Sequence, residues 1–256
     1  MFYVIISDYF MSDEINLPWL SREDFFMEIF LQRAEDTYEI TGAGYGLFIA
    51  LLIVSLLVAC MFTGQDSKKH FSVKQLVFAA MGITLAVVTS MIKFLELPMG
   101  GSITLFSMFF VTFVGYLYGP RAGLTSAIAY GFLQLILGPY IISIPQLICD
   151  YILAFGALGL SGFFANAKHG MIKGYIAGCL GRLFFATLSG VIFFGQYAAD
   201  YGMSPFAYSL SYNGIYIGAE MIFTIVIISV PAVHKALNKV KVMANENEIR
   251  ERLSLV

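Results

Sequence analysis

The sequence has little charge. Asp, Glu, Lys and Arg supply only 12% of its 256 residues, against roughly a quarter in soluble domains, and this excludes an ordinary water-soluble fold. It contains no G-x-x-x-x-G-K-[ST] phosphate loop, which excludes ATP hydrolysis by a Walker-type site within the chain. The three histidines, His70, His169 and His234, all fall in polar breaks, so no histidine-based metal site or proton relay can be drawn inside the apolar runs. Cys60, Cys149 and Cys179 follow no zinc, haem or disulfide spacing and read as buried thiols. The first apolar run begins beyond residue 40 after an acidic segment, without the basic start and small-residue cleavage site of a secretory signal, and is expected to stay in the mature protein. No Ser-His or Asp-Asp pairing supports an intramembrane protease. The runs are continuous rather than alternating, which argues against a β-barrel.

Apolar residues are abundant, at 59%. Seven runs, near 42–62, 75–92, 103–119, 122–138, 145–165, 174–195 and 206–231, approach the length a helix needs to cross a bilayer. Lys68, Lys69, Lys74, Arg121, Lys168, Lys173, Lys235, Lys239 and Lys241 all fall in alternate breaks, hence on one side of the membrane. By the positive-inside rule that side is cytoplasmic. The other side receives Lys93, Glu96, the uncharged GPYIISIP connection, Asp200 and the first 41 residues, where nine acidic residues face two arginines. We therefore expect an all-α integral membrane protein in a prokaryotic plasma membrane, with its N-terminus outside and C-terminus inside. The polar stretch TGQDSKKHFSVK sets run one apart. The expected organisation is an acidic extracellular arm (1–41), an additional transmembrane helix (42–62), a cytoplasmic linker (63–74), a six-helix membrane domain (75–232) and a cytoplasmic tail (233–256). Within the arm, Phe25, Phe26, Ile29 and Phe30 could line a surface helix, with a mobile, poorly ordered arm as the alternative. The Lys-rich start of the tail suits anionic headgroups. No nucleic-acid partner is expected.

Small residues recur at helix-facing intervals: Gly123, Ala127 and Gly131; Gly156, Gly159 and Gly162; Ala79, Gly82 and Ala86. Such stripes let helices pack closely, although the third could instead meet a partner protein. Three ionisable groups lie within apolar runs: Asp150, Arg182 and Glu220. Each is costly there and therefore asks for a function or a structural partner. Arg182 reads as a structural group that bridges to Asp150 or Glu220, snorkels toward headgroups or binds backbone carbonyls, and Glu220 as either a helix-pairing group or a site. Asp150 is distinguished by its company. Tyr140 lies upstream, Tyr151 adjoins it, and the last run opens with Tyr208, Tyr212, Asn213 and Tyr216. The charge pattern brings these to the outer surface, where a carboxylate among aromatic faces suits a flat organic cation. The bland alternative is an interfacial tyrosine belt.

The segments LPMGGSITL, YGFLQLILGPYI, QLICDYILAFGALGLSG, LSGVIFF and GMSPFAYSLSYNG, followed by Glu220, resemble the thiamine transporter family, whose members are substrate-binding S components of energy-coupling factor transporters. The likeness runs from about residue 73 to 232. It implies a six-helix S component that captures thiamine outside, docks on a transmembrane T subunit with two cytoplasmic ATPases, and tilts to release its ligand. The chain would need no cofactor of its own, ATP being used by the ATPases. By position, the resemblance assigns ligand contacts to Asp150, Tyr151, Tyr140, Tyr208, Asn213 and Phe194, and T-subunit contacts to Ala79, Gly82 and Ala86. Ala186 stands where the family commonly has histidine, and Phe194 where it commonly has tryptophan, so a thiamine precursor or another vitamin-like heterocycle is an alternative ligand. The additional helix is unusual for the family. A stand-alone carrier, channel or membrane enzyme of seven helices is the contrasting reading.

Overall fold

The computed structural model describes residues 29–34, 37–62 and 73–246, with residues 33, 34 and 55–62 described through their backbone only. The fold is helical. Helix α1 covers Gly42–Phe62, α2 Val73–Ser90, α3 Ser107–Tyr118, α4 Pro120–Ile136, α5 Ile144–Phe164, α6 Gly170–Phe193, α7 Pro205–Ser229 and α8 Pro231–Ala244. Among the described residues, α2, α5, α6 and α7 are long and apolar enough to cross a membrane. Their starts follow local chemistry. Pro145, Pro205 and Pro231 sit in first turns, where a missing N–H costs nothing, and Ser143 and Ser204 accept hydrogen bonds from Gln146 N and Ala207 N.

The run at 103–119 does not form a full membrane-spanning helix. Ser102–Thr104 is strand β4, paired antiparallel with β3 at Lys93–Glu96, and Phe106 has φ +60°. Only twelve residues remain for α3, about 18 Å of helix against a hydrocarbon core of about 30 Å. Its first turn therefore starts inside the protein, where its N–H groups need partners. Glu220 of α7 provides one: its carboxylate accepts from Met108 N at 3.0 Å, Thr104 Oγ1 at 2.6 Å and Ser107 Oγ at 3.3 Å. Glu220 thus caps a helix that is not its own.

Glycines set the helix spacing. A Cβ on Gly123 would meet Gly115 Cα at 2.8 Å, one on Gly159 would meet Leu124 Cα at 2.5 Å, and one on Gly131 would meet Tyr151 O at 2.1 Å. The stripes on α4 and α5 are therefore packing surfaces for α3, α4 and α5. Gly82 likewise lies against Val114 of α3, and Ala86 is fully buried, while Ala79 is half-buried. Beside that line, Leu76, Met81, Leu85 and Val88 of α2 are exposed.

At the end opposite β3 and β4, α8 lies across the bundle. Asn245 Nδ2 donates to Leu117 O at 3.2 Å, and Lys241 donates to Ala165 O with its ammonium 3.7 Å from the Tyr116 ring centroid. Burial there pulls the Lys241 pKa below its ordinary value. Cys149 and Cys179 are free and buried; the Cys60 side chain lies outside the described residues.

Of the residues expected on a surface helix of the arm, Ile29 and Phe30 are helical, and strands begin directly after them. Leu31–Ala34 (β1) and Thr37–Ile40 (β2) form an antiparallel hairpin preceding α1. The segment alternates, with Leu31 facing a core and Gln32 exposed, which is the period of a strand. Phe25 and Phe26 lie outside the described residues. Helix α1 packs against α4, and Leu31, Phe48, Phe132, Leu135, Ile141 and Leu147 form a second apolar cluster beside the main core.

Candidate ligand-binding site

A cavity of about 350 Å³ opens at the β3–β4 end of the bundle, within the size range of small-molecule pockets. Its walls come from the ends of α2 and α4, the β3–β4 hairpin, the start of α5, the second half of α6 and the start of α7. All six positions selected for ligand contact line it: Tyr140, Asp150, Tyr151, Phe194, Tyr208 and Asn213.

Asp150 reaches the cavity through an irregularity in α5. Residues Ile148–Leu153 form a π-helical segment, a local widening common at functional sites because it re-aims side chains. Gln146, one turn earlier and 2% exposed, holds the carboxylate: its Nε2 donates to Asp150 Oδ2 at 2.7 Å. The same amide also donates to Tyr140 O at 3.1 Å, and its Oε1 accepts from Ile142 N at 3.1 Å. The Tyr151 hydroxyl accepts from Tyr140 N at 2.8 Å. Asp150 thus sits in a fixed geometry with acceptor capacity to spare, since an ionised carboxylate offers about four lone-pair sites.

Aromatic rings form the flanks. Tyr140 and Phe194 have centroids 6.1 Å apart, and Phe194 stacks on Tyr197 at 6.4 Å. On α7, Tyr208, Tyr212 and Tyr216 follow at intervals of four and so occupy one face, with centroids 6.2 and 5.8 Å apart. Asn213 is buried and already engaged. Its Nδ2 donates to Ala186 O at 3.2 Å and Ser209 O at 2.9 Å, and its Oδ1 accepts from Tyr216 Oη at 2.7 Å. Ala186 also lines the cavity.

Tyr212 ties the β3–β4 hairpin over the cavity, its hydroxyl donating to Pro98 O and accepting from Gly101 N at 3.0 Å. Gly101 is required at that approach, because a Cβ there would meet Tyr212 Oη at 2.6 Å.

Arg182 does not snorkel. It stands in the middle of α6 and lines the cavity, its guanidinium 4.3 Å from the Phe155 ring centroid and 5.9 Å from that of Tyr216. It lies in electrostatic reach of Asp150 and Glu220, yet among the described residues it forms an ion pair with neither. Gln146 escaped the sequence reading, and Arg182 entered it as a structural group and not as a cavity residue. Gln146 carried a usable signal, its spacing of four from Asp150. The orientation of Arg182 carried none, because the start of α6 at Gly170 is not marked by a run boundary. Among the described residues no cluster of His, Cys, Asp and Glu could hold a metal ion.

This arrangement suits a flat cation: rings to stack on, one oriented carboxylate to neutralise the charge, and a hairpin to close over it. Comparison with known proteins agrees with the fold. A solved structure titled as ThiT from Listeria monocytogenes is similar with a TM-score of 0.50 at 24% identity, covering 68% of this chain and 93% of that one. The thiamine transporter ThiT of Bacillus subtilis is 30% identical over 166 residues, spanning 59% of this chain and 84% of its relative. Residues 76–240 match the family model described as Thiamine transporter protein (Thia_YuaJ), and the chain belongs to that family of multi-pass membrane transport proteins.

Proposed function

We propose that the chain is a high-affinity thiamine-binding S component of an energy-coupling factor importer, capturing thiamine in the cavity built around Asp150. The observation that carries this reading is the oriented carboxylate between aromatic walls, in a chain of this family. Asp150 neutralises the thiazolium, Tyr140, Phe194 and Tyr208 stack on the rings, and Tyr151 and Asn213 fix the geometry around them. The cavity opens outward and the C-terminus lies in the cytoplasm of a prokaryotic cell. Support for that orientation comes from Arg121, Lys168, Lys173, Lys235 and Lys239, which gather toward the end opposite the cavity. Energy comes from two cytoplasmic ATPases, coupled through a T subunit that meets the chain along α2. The exposed Leu76, Met81 and Leu85 beside Ala79 offer an apolar surface there, while Gly82 and Ala86 let α2 approach α3.

Titration of the purified protein with thiamine, followed by intrinsic fluorescence, tests the ligand; saturable binding is expected, and no response at micromolar ligand overturns it. Vesicle uptake tests the partners. ATP-dependent transport is expected only with the T subunit and ATPases present, and uptake by the chain alone overturns the S-component reading. A second ligand reading, a thiamine precursor or related heterocycle, is favoured by Ala186 and Phe194, which leave the ring wall smaller than His and Trp would. Competition between thiamine and its two separate ring fragments distinguishes the two.

A further inference from the structure

The N-terminal hairpin meets the membrane domain through a backbone contact next to a cavity residue. Tyr38 N donates to Ile141 O at 2.7 Å, forming an antiparallel bridge. Tyr38 pairs with Arg33 within the hairpin, and this amide points away from that pairing toward the connection between α4 and α5. The Ile141 side chain is completely buried in the cluster with Leu31, Phe48, Phe132, Leu135 and Leu147. One residue of the connection is therefore held from the hairpin side by both main chain and side chain.

Its two neighbours are held from the cavity side by Gln146, and Tyr140 N also donates to the Tyr151 hydroxyl at 2.8 Å. Gln146 bonds the backbone of Tyr140 and of Ile142, and the same Nε2 that reaches Tyr140 O also holds the Asp150 carboxylate. Moving Ile141 moves both backbone groups that orient Gln146, and with them the carboxylate and the Tyr140 ring. The connection has little regular structure to resist such movement, since Gly138 with φ +105° ends α4 and α5 begins at Ile144.

We infer that Tyr38 is a positioning residue for the ligand site: through its main-chain amide the hairpin before α1 clamps the connection so that Gln146 presents Asp150 and Tyr140 to the ligand. This rests on the reading of the cavity as the thiamine site. The hairpin strands and α1 then act as a built-in brace of the site, through the contact of Tyr38 with Ile141 and the packing of α1 on α4.

The test uses the full chain. Tyr38→Pro removes the outward N–H and leaves the facing hairpin bonds in place, and Tyr38→Ala keeps the amide as the control. In ligand-free protein, amide hydrogen exchange over 138–147 should rise in Tyr38→Pro and stay at the wild-type level in Tyr38→Ala, with α6 unchanged in both. Thiamine affinity should fall roughly 3- to 10-fold in Tyr38→Pro, the range of one net hydrogen bond, through faster dissociation. In an Asp150→Asn background the same proline should cause a smaller further loss, because the part of its effect that runs through the carboxylate is already gone. Unchanged exchange over 138–147 overturns the clamp. Raised exchange with wild-type affinity, or a loss that adds fully to that of Asp150→Asn, overturns the positioning role. Failure of the wild-type protein to bind thiamine overturns the ligand assignment instead and leaves the clamp to be judged by exchange.

Discussion

Asp150→Asn is the most informative substitution, because the structure fixes most of what the change alters. The asparagine Oδ1 can still accept from Gln146 Nε2, so the network that orients position 150 survives. Volume hardly changes, and the difference is one negative charge. A cation 4 Å from that charge is worth about 4 kcal/mol at an effective dielectric of about 20. Asp150 is half-buried and faces an open cavity, so solvent reduces this to about 2–4 kcal/mol. Arg182 lines the same cavity; with the Asp150 charge gone, its positive charge is less compensated and opposes a cationic ligand. The expected loss of thiamine affinity is therefore about 30- to 1,000-fold. A neutral isostere of thiamine, with an uncharged ring in place of the thiazolium, should lose only about 5-fold, the worth of a weakened hydrogen bond. Calorimetric titration of both ligands against both proteins gives the four affinities. Equal losses for the charged and neutral ligands would refute the electrostatic argument and make the carboxylate a structural group held by Gln146.

Other consequences of the structure are testable in the same preparations. Glu220→Ala leaves Met108 N, Thr104 and Ser107 without their shared acceptor; we expect about 3 kcal/mol of lost stability and a melting temperature lower by about 6–12 °C, with Glu220→Gln much milder. Gly131→Ala places a Cβ 2.1 Å from Tyr151 O, backbone against backbone, and should impair both folding yield and ligand binding, whereas Gly214→Ala, with nothing within 4 Å, should leave binding and melting temperature close to wild type. Phe194→Ala removes one ring of the Tyr140 and Tyr197 wall and should weaken thiamine about 2- to 30-fold by titration; Phe194→Trp should bind at least as tightly as wild type.

The spatial grouping of the site was legible in the sequence because membrane insertion reduces a three-dimensional question to one of alternation. Once the lysines and Arg121 assign each break to a side, the start of α5 and the start of α7 must lie at the same end, and Asp150, Tyr208 and Asn213 meet there. Hydropathy likewise located α1, α2, α4, α5, α6 and α7 to within a few residues. What periodicity could not supply were departures from the regular helix. The π-helical segment at Ile148–Leu153 leaves no compositional trace, since it changes how residues are spaced around the axis and not which residues are used. The strand pair at Leu31–Ala34 and Thr37–Ile40 is too short to separate from a helix by alternation alone.

The short helix α3 shows where hydropathy misleads and why a buried charge corrects it. Residues 103–119 are apolar enough to suggest a crossing, because the hairpin residues Ile103, Leu105 and Phe106 continue the run into the interior. Apolar character reports burial, and burial in protein is indistinguishable from burial in lipid by that measure. The helix can start within the interior only if its first N–H groups are satisfied there, and Met108 N requires an acceptor strong enough to replace water. Glu220 supplies one across the bundle, which is why an isolated glutamate persists in the otherwise apolar α7. Its partners, Thr104 and Ser107, also line the ligand cavity. The carboxylate that permits the short helix therefore also fixes the base of the β3–β4 hairpin, while Tyr212 holds the tip. Asp150 and Glu220, the two acidic residues of the apolar runs, divide the work: Asp150 faces the cavity, and Glu220 secures the hairpin and helix start beside it.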